Sequence, residues 1–385
     1  MRRARACAAS PCNPVDLIPN PSDRQPIAPA AATDPCGLGC QPGRANVPVP
    51  VIGSASRETY LPMSQPSSSE FDLIRRYLTG LGAVRRDVLV DVGDDCALLH
   101  VPADRELAVS IDTLVAGVHF LPDCDPAALG HKALAVGLSD LAAVGAEPAW
   151  ATLALTLPTS DEAWLAAFAR GLGDLAAHED VRLVGGDLTR GPLSLTVQVH
   201  GLVPRGHMLR RAGGQPGDLL CVSGALGDAG LALRHLQRGE PVDAYLRQRL
   251  ERPTPRVALG EVLRGVASAA IDISDGLLAD LGHLLAASGC GARVELTRLP
   301  LADQVAGVVA ANGDWGLPLA AGDDYELCFT LPAAHARELP VLAAAAGCPL
   351  TPIGTLEAQP ELCLVLADGQ PWQPQRRGYD HFTDA

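Results

Sequence analysis

The chain has 385 residues, 48% of them apolar, and a formal net charge of -14. That length carries two ordinary domains, each with its own core. The acidic balance excludes a phosphate-tracking nucleic-acid binder, which needs a basic stripe, and no apolar run reaches the length of a membrane span.

Lys132 is the only lysine, and arginine supplies the remaining positive charge. With abundant Ala and Gly, this bias reads as base composition. Eleven cysteines are scattered. Cys7, Cys12, Cys36 and Cys40 lie in the first forty residues, and seven more follow singly from Cys96 to Cys363. No CxxC has a partner pair or histidines, so no zinc site is expected. The later cysteines sit in apolar runs as small core residues. Such usage is expected of a reducing, cytoplasmic compartment. Arg2, Arg3 and Arg5 resemble the start of a signal peptide, but no apolar h-region follows.

Residues 1–62 hold 11 of the 32 prolines and show no periodicity. They cannot bury enough surface to offset the entropy of ordering, so disorder is expected. Met63 opens Met-Ser-Gln-Pro-Ser-Ser-Ser-Glu-Phe, which reads as a natural chain start. Residues 1–62 are therefore expected to be a dispensable leader or a misplaced translation start; an intact mass matching a start at Met1 would overturn this.

Apolar spacing predicts a helix over 70–81, strands near 96–101 and 106–114, and a helix opened by Pro126 and reaching 144. A strand at 149–156, a helix at 161–177 and strands at 181–186 and 193–203 complete a first half. The turn-forming run Gly213-Gly214-Gln215-Pro216-Gly217-Asp218 marks the boundary. The second half opens with strand 219–223 and helices at 226–237, 243–250 and 255–265. Strand 269–273, helix 275–287, strand 292–296 and helix 302–311 follow. Strand 325–331, helix 333–346 and strands near 350–356 and 362–366 finish it. Strands alternating with helices in both halves predict α/β or α+β layers.

Within strand 106–114, Leu107, Val109 and Ile111 point one way and Ala108, Ser110 and Asp112 the other. Ser110 and Asp112 are thus expected on the face away from the core, with Asp94 and Asp95 folding back onto it from the loop upstream. Oxygen ligands gathered this way suit a hard divalent cation, Mg2+ above all when phosphates complete its shell. The helix over 126–144 is apolar nearly all round yet contains Asp140, and a buried carboxylate needs a cation, an arginine or a metal. For that aspartate alone, a salt bridge is the simpler account.

Asp187 follows Gly185-Gly186 where strand 181–186 runs out, and two residues without Cβ let another group approach the backbone. Asp272-Ile273-Ser274-Asp275 occupies a strand-to-helix junction. Either Ser274 or Asp275 is a plain N-cap, or free amides there favour a phosphate while Asp272 faces a cation. One shared cause is a better account of Asp94, Asp95, Asp112, Asp140, Asp187, Asp272 and Asp275 than seven separate ones. They are expected to converge, with divalent cations relieving their repulsion. No P-loop and no kinase-type glycine-rich loop with its His-Arg-Asp element occurs. A nucleotide site must then lean on metals and arginine, with Arg210-Arg211 the candidate and a solvated surface pair the plainer alternative.

Taken in order, these pieces resemble the thiamine-monophosphate kinase family, of the aminoimidazole-ribonucleotide-synthetase-like superfamily. They are Gly-Asp-Asp-Cys-Ala-Leu-Leu (93–99), Ser-Ile-Asp-Thr-Leu-Val-Ala-Gly-Val-His-Phe (110–120) and Leu-Ser-Asp-Leu-Ala-Ala-Val-Gly-Ala (138–146). Gly-Gly-Asp-Leu-Thr-Arg-Gly (185–191), Asp-Ile-Ser-Asp-Gly-Leu (272–277), Gly-Asp-Asp-Tyr-Glu-Leu (322–327) and Gly-Tyr-Asp-His-Phe (378–382) follow. The resemblance implies that Asp95, Ser110, Ile111 (through its backbone), Asp112, Asp140, Asp187, Asp272 and Asp275 hold several Mg2+ ions. Gly186, Arg211 and Ser274 match ATP-contacting positions, and His119, Asp323 and Tyr379 match positions that hold thiamine monophosphate. The implied reaction is direct transfer of the ATP γ-phosphoryl group to thiamine monophosphate, giving thiamine diphosphate, with no side chain as acid or base. Three departures are small: Ile111 stands for a common Thr, Leu188 for a frequent Thr, and Ala321 for a glycine ahead of Asp323.

The implied fold sets an N-terminal α/β half (69–205) beside a C-terminal one (206–382), with the site in the cleft between them. N-terminal sheets of two subunits pair into a barrel in a homodimer. Another ATP-using superfamily member is the nearest alternative: selenophosphate synthetase, a hydrogenase-maturation dehydratase or a purine-synthesis ligase. Selenophosphate synthetase needs a reactive Cys or selenocysteine in an N-terminal glycine-rich loop, and a hydrogenase-maturation dehydratase needs a C-terminal cysteine; this chain ends Thr383-Asp384-Ala385. A non-catalytic binder of thiamine phosphate is the alternative from another class.

Overall fold

The structure, a computed structural model, describes residues 69–376, 378, 379 and 382; the expectation for 1–62 lies outside them. Ser69 caps α1 (Glu70–Leu73) through a capping box with Asp72, and the helix continues as a π turn over Ile74–Leu78. A short hairpin, β1 (Val88–Val90) and β2 (Leu98–Leu99), precedes the long strand β3 (Arg105–Val115). Asp125 caps α2 (Pro126–Ala143), with Pro126 in its first turn. Then come β4 (Glu147–Leu157), α3 (Glu162–His178), β5 (Arg182–Arg190) and β6 (Ser194–Pro204). The four long strands form one sheet in the order β3-β6-β4-β5, so β3 is an edge strand.

The second half contains β7 (Leu219–Ser223), α4 (Asp228–Gln237), α5 (Ala244–Glu251), α6 (Val257–Leu263) and β8 (Ala269–Ile273). It continues through α7 (Leu277–Ser288), β9 (Gly291–Glu295), α8 (Asp303–Asn312), α9 (Gly316–Ala320), β10 (Glu326–Leu331) and α10 (Leu339–Ala346). It ends with β11 (Leu350–Glu357), β12 (Leu362–Val365) and β13 (Pro371–Trp372). Its seven-stranded sheet runs β13-β12-β9-β11-β7-β10-β8. The layered α/β expectation holds. The sequence reading missed β1, α9 and β13, elements of two to five residues, too short to show a period.

The helix α2 is apolar on every side because it has packed neighbours on every side. It touches β6 and α3 toward the first sheet, and α6 and β8 toward the second. Fifteen of its eighteen residues are buried. Its approach to α3 is tight: a Cβ on Gly130 would lie 2.1 Å from the Phe168 carbonyl oxygen, and one on Gly171 only 1.8 Å from that of Ala127. One core runs from Leu134, Leu138 and Leu141 of α2 to Val197 and Val199 on β6, and across to Leu327 and Phe329 on β10.

The expected orientation of β3 is reversed. Leu107, Val109 and Ile111 are 45%, 50% and 61% exposed, while Ser110 and Asp112 turn inward toward α2. The alternation was right; the covered face is the polar one.

Candidate active site

The inward face of β3 brings Ser110 and Asp112 against α2. Ser110 donates its hydroxyl to the Asp140 carboxylate. Asp112 lies beside Gly137, where an added Cβ would be 3.6 Å from Asp112 Oδ2. Ser139, the residue before Asp140, donates to Asp272 Oδ2 at 2.9 Å across to β8. Three carboxylates from three elements thus meet at one place. Burial, then the Asp140 charge and a hydrogen bond shared with that carboxylate, pushes Asp112 up to about 7. Burial also raises Asp140, opposed by Ser110 and by the charge of Arg211. Burial pushes Asp272 up to about 8, with Asp140 and Asp280 adding repulsion.

Asp112 Oδ2 is buried and has no hydrogen-bond partner among the described residues. Orphaned oxygen and crowded, desolvated carboxylates are what a hard divalent cation relieves, so the residues fit Mg2+. Among the described residues, no three His, Cys, Asp or Glu side chains already surround a single ion position.

The acidic cluster borders two cavities. One, of about 690 Å3, is bordered by Ser110, Asp140, Arg210, Arg211 and Asp272. The other, of about 460 Å3, is bordered by Asp112, His119, Ser274, Asp275, Asp323 and Tyr379. Ile111 and Lys132 also line the second cavity. His119 Nδ1 accepts the Val115 N–H at 3.0 Å, which puts the ring proton on Nε2. The Tyr379 N–H donates to the Asp275 carbonyl at 3.1 Å, tying the C-terminal segment to the junction before α7.

That junction differs from both sequence readings. The helix α7 starts only at Leu277, with Gly276 at its N-cap, so neither Ser274 nor Asp275 caps it. Their amides are not free for a phosphate: both donate to Asp280 Oδ2, at 3.0 and 3.1 Å. Burial and the Asp275 charge push Asp280 up to about 7. Asp280 is a member of the acidic group that sequence reasoning missed; its place becomes visible only once the helix start is known.

Asp323 occupies a forced backbone. Asp323 and Tyr325 have φ of 63° and 48°, and such non-glycine conformations persist only where their surroundings over-determine them. Here the Asp323 and Tyr325 amides donate to the Ser274 and Ile273 carbonyls, each at 2.8 Å. Asp324 accepts the Gly227 N–H at 2.9 Å. Glu326, fully buried, is clamped by Arg249 at 2.9 Å and by Arg256 at 2.5 and 2.6 Å. The Asp323 carboxylate meets Lys132 Nζ at 2.9 Å and the Tyr325 hydroxyl at 3.0 Å.

The remaining aspartates stand apart. Asp187 is in the middle of β5 rather than past its end, exposed, on the face opposite Leu188, which belongs to the inner core. On that outer face it follows the cross-strand row Thr113, Thr196 and Ala154. The close approach that Gly186 permits is made by the chain itself: a Cβ there would lie 1.9 Å from the Leu153 carbonyl oxygen, at φ +148°. Asp94 and Asp95 are exposed in the loop between β1 and β2, where the Asp95 N–H donates to Asp94 at 2.8 Å. Within one chain, therefore, the seven aspartates do not form one cluster; the sheet lies between Asp187 and the Asp112 group.

Comparison with known proteins places this architecture. Residues 93–203 match the family described as AIR synthase related protein, N-terminal domain, and residues 215–366 match its C-terminal domain. The thiamine-monophosphate kinase of Salmonella typhimurium is 52% identical over 319 residues, covering 82% of this chain and 98% of that protein. The Haemophilus influenzae one is 42% identical over 326 residues, with the same coverage of each chain. Among solved structures, the thiamine-monophosphate kinase of Stenotrophomonas maltophilia K279a superposes with a TM-score of 0.71 at 45% identity, over 78% of this chain and 95% of that one. AaThiL complexed with AMPPCP and TMP superposes with a TM-score of 0.64 at 32% identity, over 74% and 89% of the respective chains. Hydrogenase maturation protein HypE, at 21% identity, shares the fold alone. Near-complete coverage at such identity is decisive: the chain belongs to the thiamine-monophosphate kinase family.

Proposed function

We propose that the chain transfers the γ-phosphoryl group of ATP directly to the phosphate of thiamine monophosphate, giving thiamine diphosphate. One observation carries this reading: Asp140 and Asp272 border one cavity and Asp112 the other, so two anionic reactants can reach the same group of carboxylates. The cavity bordered by Arg210 and Arg211 takes the ATP phosphates, since a guanidinium fork matches phosphate oxygens and stays charged. The other takes thiamine monophosphate, with His119 Nε2 donating to an oxygen, Asp323 facing the rings and Tyr379 stacking on them. Solved AaThiL with AMPPCP and TMP supports this pairing of ligands.

Asp112, Asp140 and Asp272, with Ser110, are the residues that would hold Mg2+; when bound, it aligns and neutralises the two phosphates. Asp275 and the Ile111 backbone extend this set toward the acceptor; Ser274, matched to an ATP-contacting position, borders the acceptor's cavity instead. Asp187 is on the other side of the sheet in one chain and Asp95 is exposed in its loop, so their part, with Gly186, depends on a second subunit paired through the exposed apolar face. No side chain is needed as a base, because the acceptor is already an anionic phosphate. Two separate sheets, of four and seven strands, support the division at 69–205 and 206–382. Among the described residues no helix is long and apolar enough to cross a membrane. The described cysteines are free thiols, which supports a reducing, cytoplasmic setting.

The test is direct: purified chain, ATP, Mg2+ and thiamine monophosphate, scored for thiamine diphosphate. Product that requires all three is expected; its absence would refute the reading.

A further inference from the structure

The helix α2 presents Lys132, Val136 and Asp140 along one face, each one turn from the next. Asp140 borders the arginine-lined cavity and Lys132 the other. Lys132 is thus about 12 Å along the helix axis from Asp140 and roughly 7.5 Å from Gly137, beside which Asp112 lies. An acceptor whose phosphate reaches the acidic cluster extends its rings toward Lys132. The lysine is the only one in the chain and is 4% exposed. Among the described residues its one hydrogen-bond partner is Asp323 Oδ2, although an ammonium has three donors. Tyr325 pins the second oxygen of the same carboxylate.

An ammonium beside a fixed carboxylate offers a donor next to an acceptor. Its complement is an edge with an acceptor nitrogen next to a donating amino group. The 4-aminopyrimidine ring of a thiamine phosphate carries such an edge, and adenine is read in proteins by the same logic. We propose that Lys132 and Asp323 together read the aminopyrimidine edge of the acceptor, Lys132 donating to the ring nitrogen and Asp323 accepting from the amino group. Lys132 is then a specificity-determining residue of the reaction. The inference rests on the thiamine-phosphate reading of this cavity and deepens it.

The test is equilibrium binding to the full chain without ATP, comparing thiamine monophosphate with oxythiamine monophosphate. In the oxo compound a carbonyl replaces the amino group and the adjacent ring nitrogen carries hydrogen, so donor and acceptor are exchanged. The wild type is expected to bind the oxo compound at least about 100-fold more weakly, as a site built for a specific hydrogen bond does. Lys132→Met should lose most of this discrimination and raise the KM for thiamine monophosphate while leaving the KM for ATP unchanged. Lys132→Arg should recover part of it. A folded Lys132→Met that keeps the wild-type ratio overturns the inference, as does a wild type that binds both ligands equally.

A second measurement needs no variant. Amine-selective acylation, mapped to the single lysine, should be blocked by thiamine monophosphate and not by ATP; acylation unaffected by thiamine monophosphate also overturns the inference. A chain that discriminates between the two ligands but forms no thiamine diphosphate would sink the kinase reading and leave the edge recognition standing.

Discussion

Ser139 Oγ donates to Asp272 Oδ2 at 2.9 Å, joining α2 of the first half to β8 of the second. The next residue, Asp140, accepts from Ser110 on β3. Two successive helix residues, about 100° apart around the axis, therefore hold the two sheets to one helix and bring their carboxylates together. The two halves are thus tied together at the acidic group itself, beside the core they share through α2. A change there acts on charge first and on packing second.

Asp140→Asn tests this. The substitution keeps the shape and removes one of the crowded charges. Turnover should fall at least about 100-fold, the scale of losing one preorganised electrostatic contact. The melting temperature in EDTA at pH 8 should rise, because burial makes the ionised Asp140 unfavourable in the fold. Calorimetry beside the product assay checks both. Near-normal turnover, or a lower melting temperature in EDTA, contradicts the assigned role.

The pH dependence follows from the same groups. Folded Asp112 and Asp280 keep their protons up to about 7, and Asp272 up to about 8, against 3.8 ordinarily. Between those limits the folded state binds more protons than the unfolded one, so their contribution to stability falls as pH rises through the window and levels off above it. In EDTA, melting temperature should decline from about pH 5 to about pH 8. Mg2+ with ATP should remove most of that decline by favouring the ionised carboxylates. A flat or rising profile in EDTA would refute the crowding.

Much of this was legible in the sequence. The buried Asp140 and the strand-end Asp272 announced themselves because a carboxylate in an apolar run has few reasons to be there. Three things were not legible, each for a physical reason. Alternation along β3 separates two faces but does not say which one the chain covers itself, so Leu107, Val109 and Ile111 read as core. A pair of glycines before Asp187 signals close approach without saying whether a ligand or a neighbouring strand makes it. Asp280 and Lys132 join their partners through the start of α7 and the turn at Asp323, which spacing along the sequence does not reveal.

The exposed face of β3 leads to the last prediction. Leu107, Val109 and Ile111 stand out from an edge strand of eleven residues, an arrangement that soluble proteins cover or charge. Fully burying an aliphatic side chain contributes roughly 1.5–3 kcal/mol, so these three, about half exposed in each of two chains, would add roughly 4–9 kcal/mol before the cost of association. Val109→Asp should leave the single chain folded, because the side chain points to solvent there. In a dimer it buries two carboxylates against apolar neighbours, and about 3 kcal/mol corresponds to a weakening of roughly 100-fold. Sedimentation should show a wild-type dimer and a largely monomeric variant at the same concentration. Turnover should fall with the dimer if, as proposed above, Asp95 and Asp187 act from the second subunit. A Val109→Asp chain that stays dimeric, or a monomeric one with full turnover, would remove the exposed face from the mechanism.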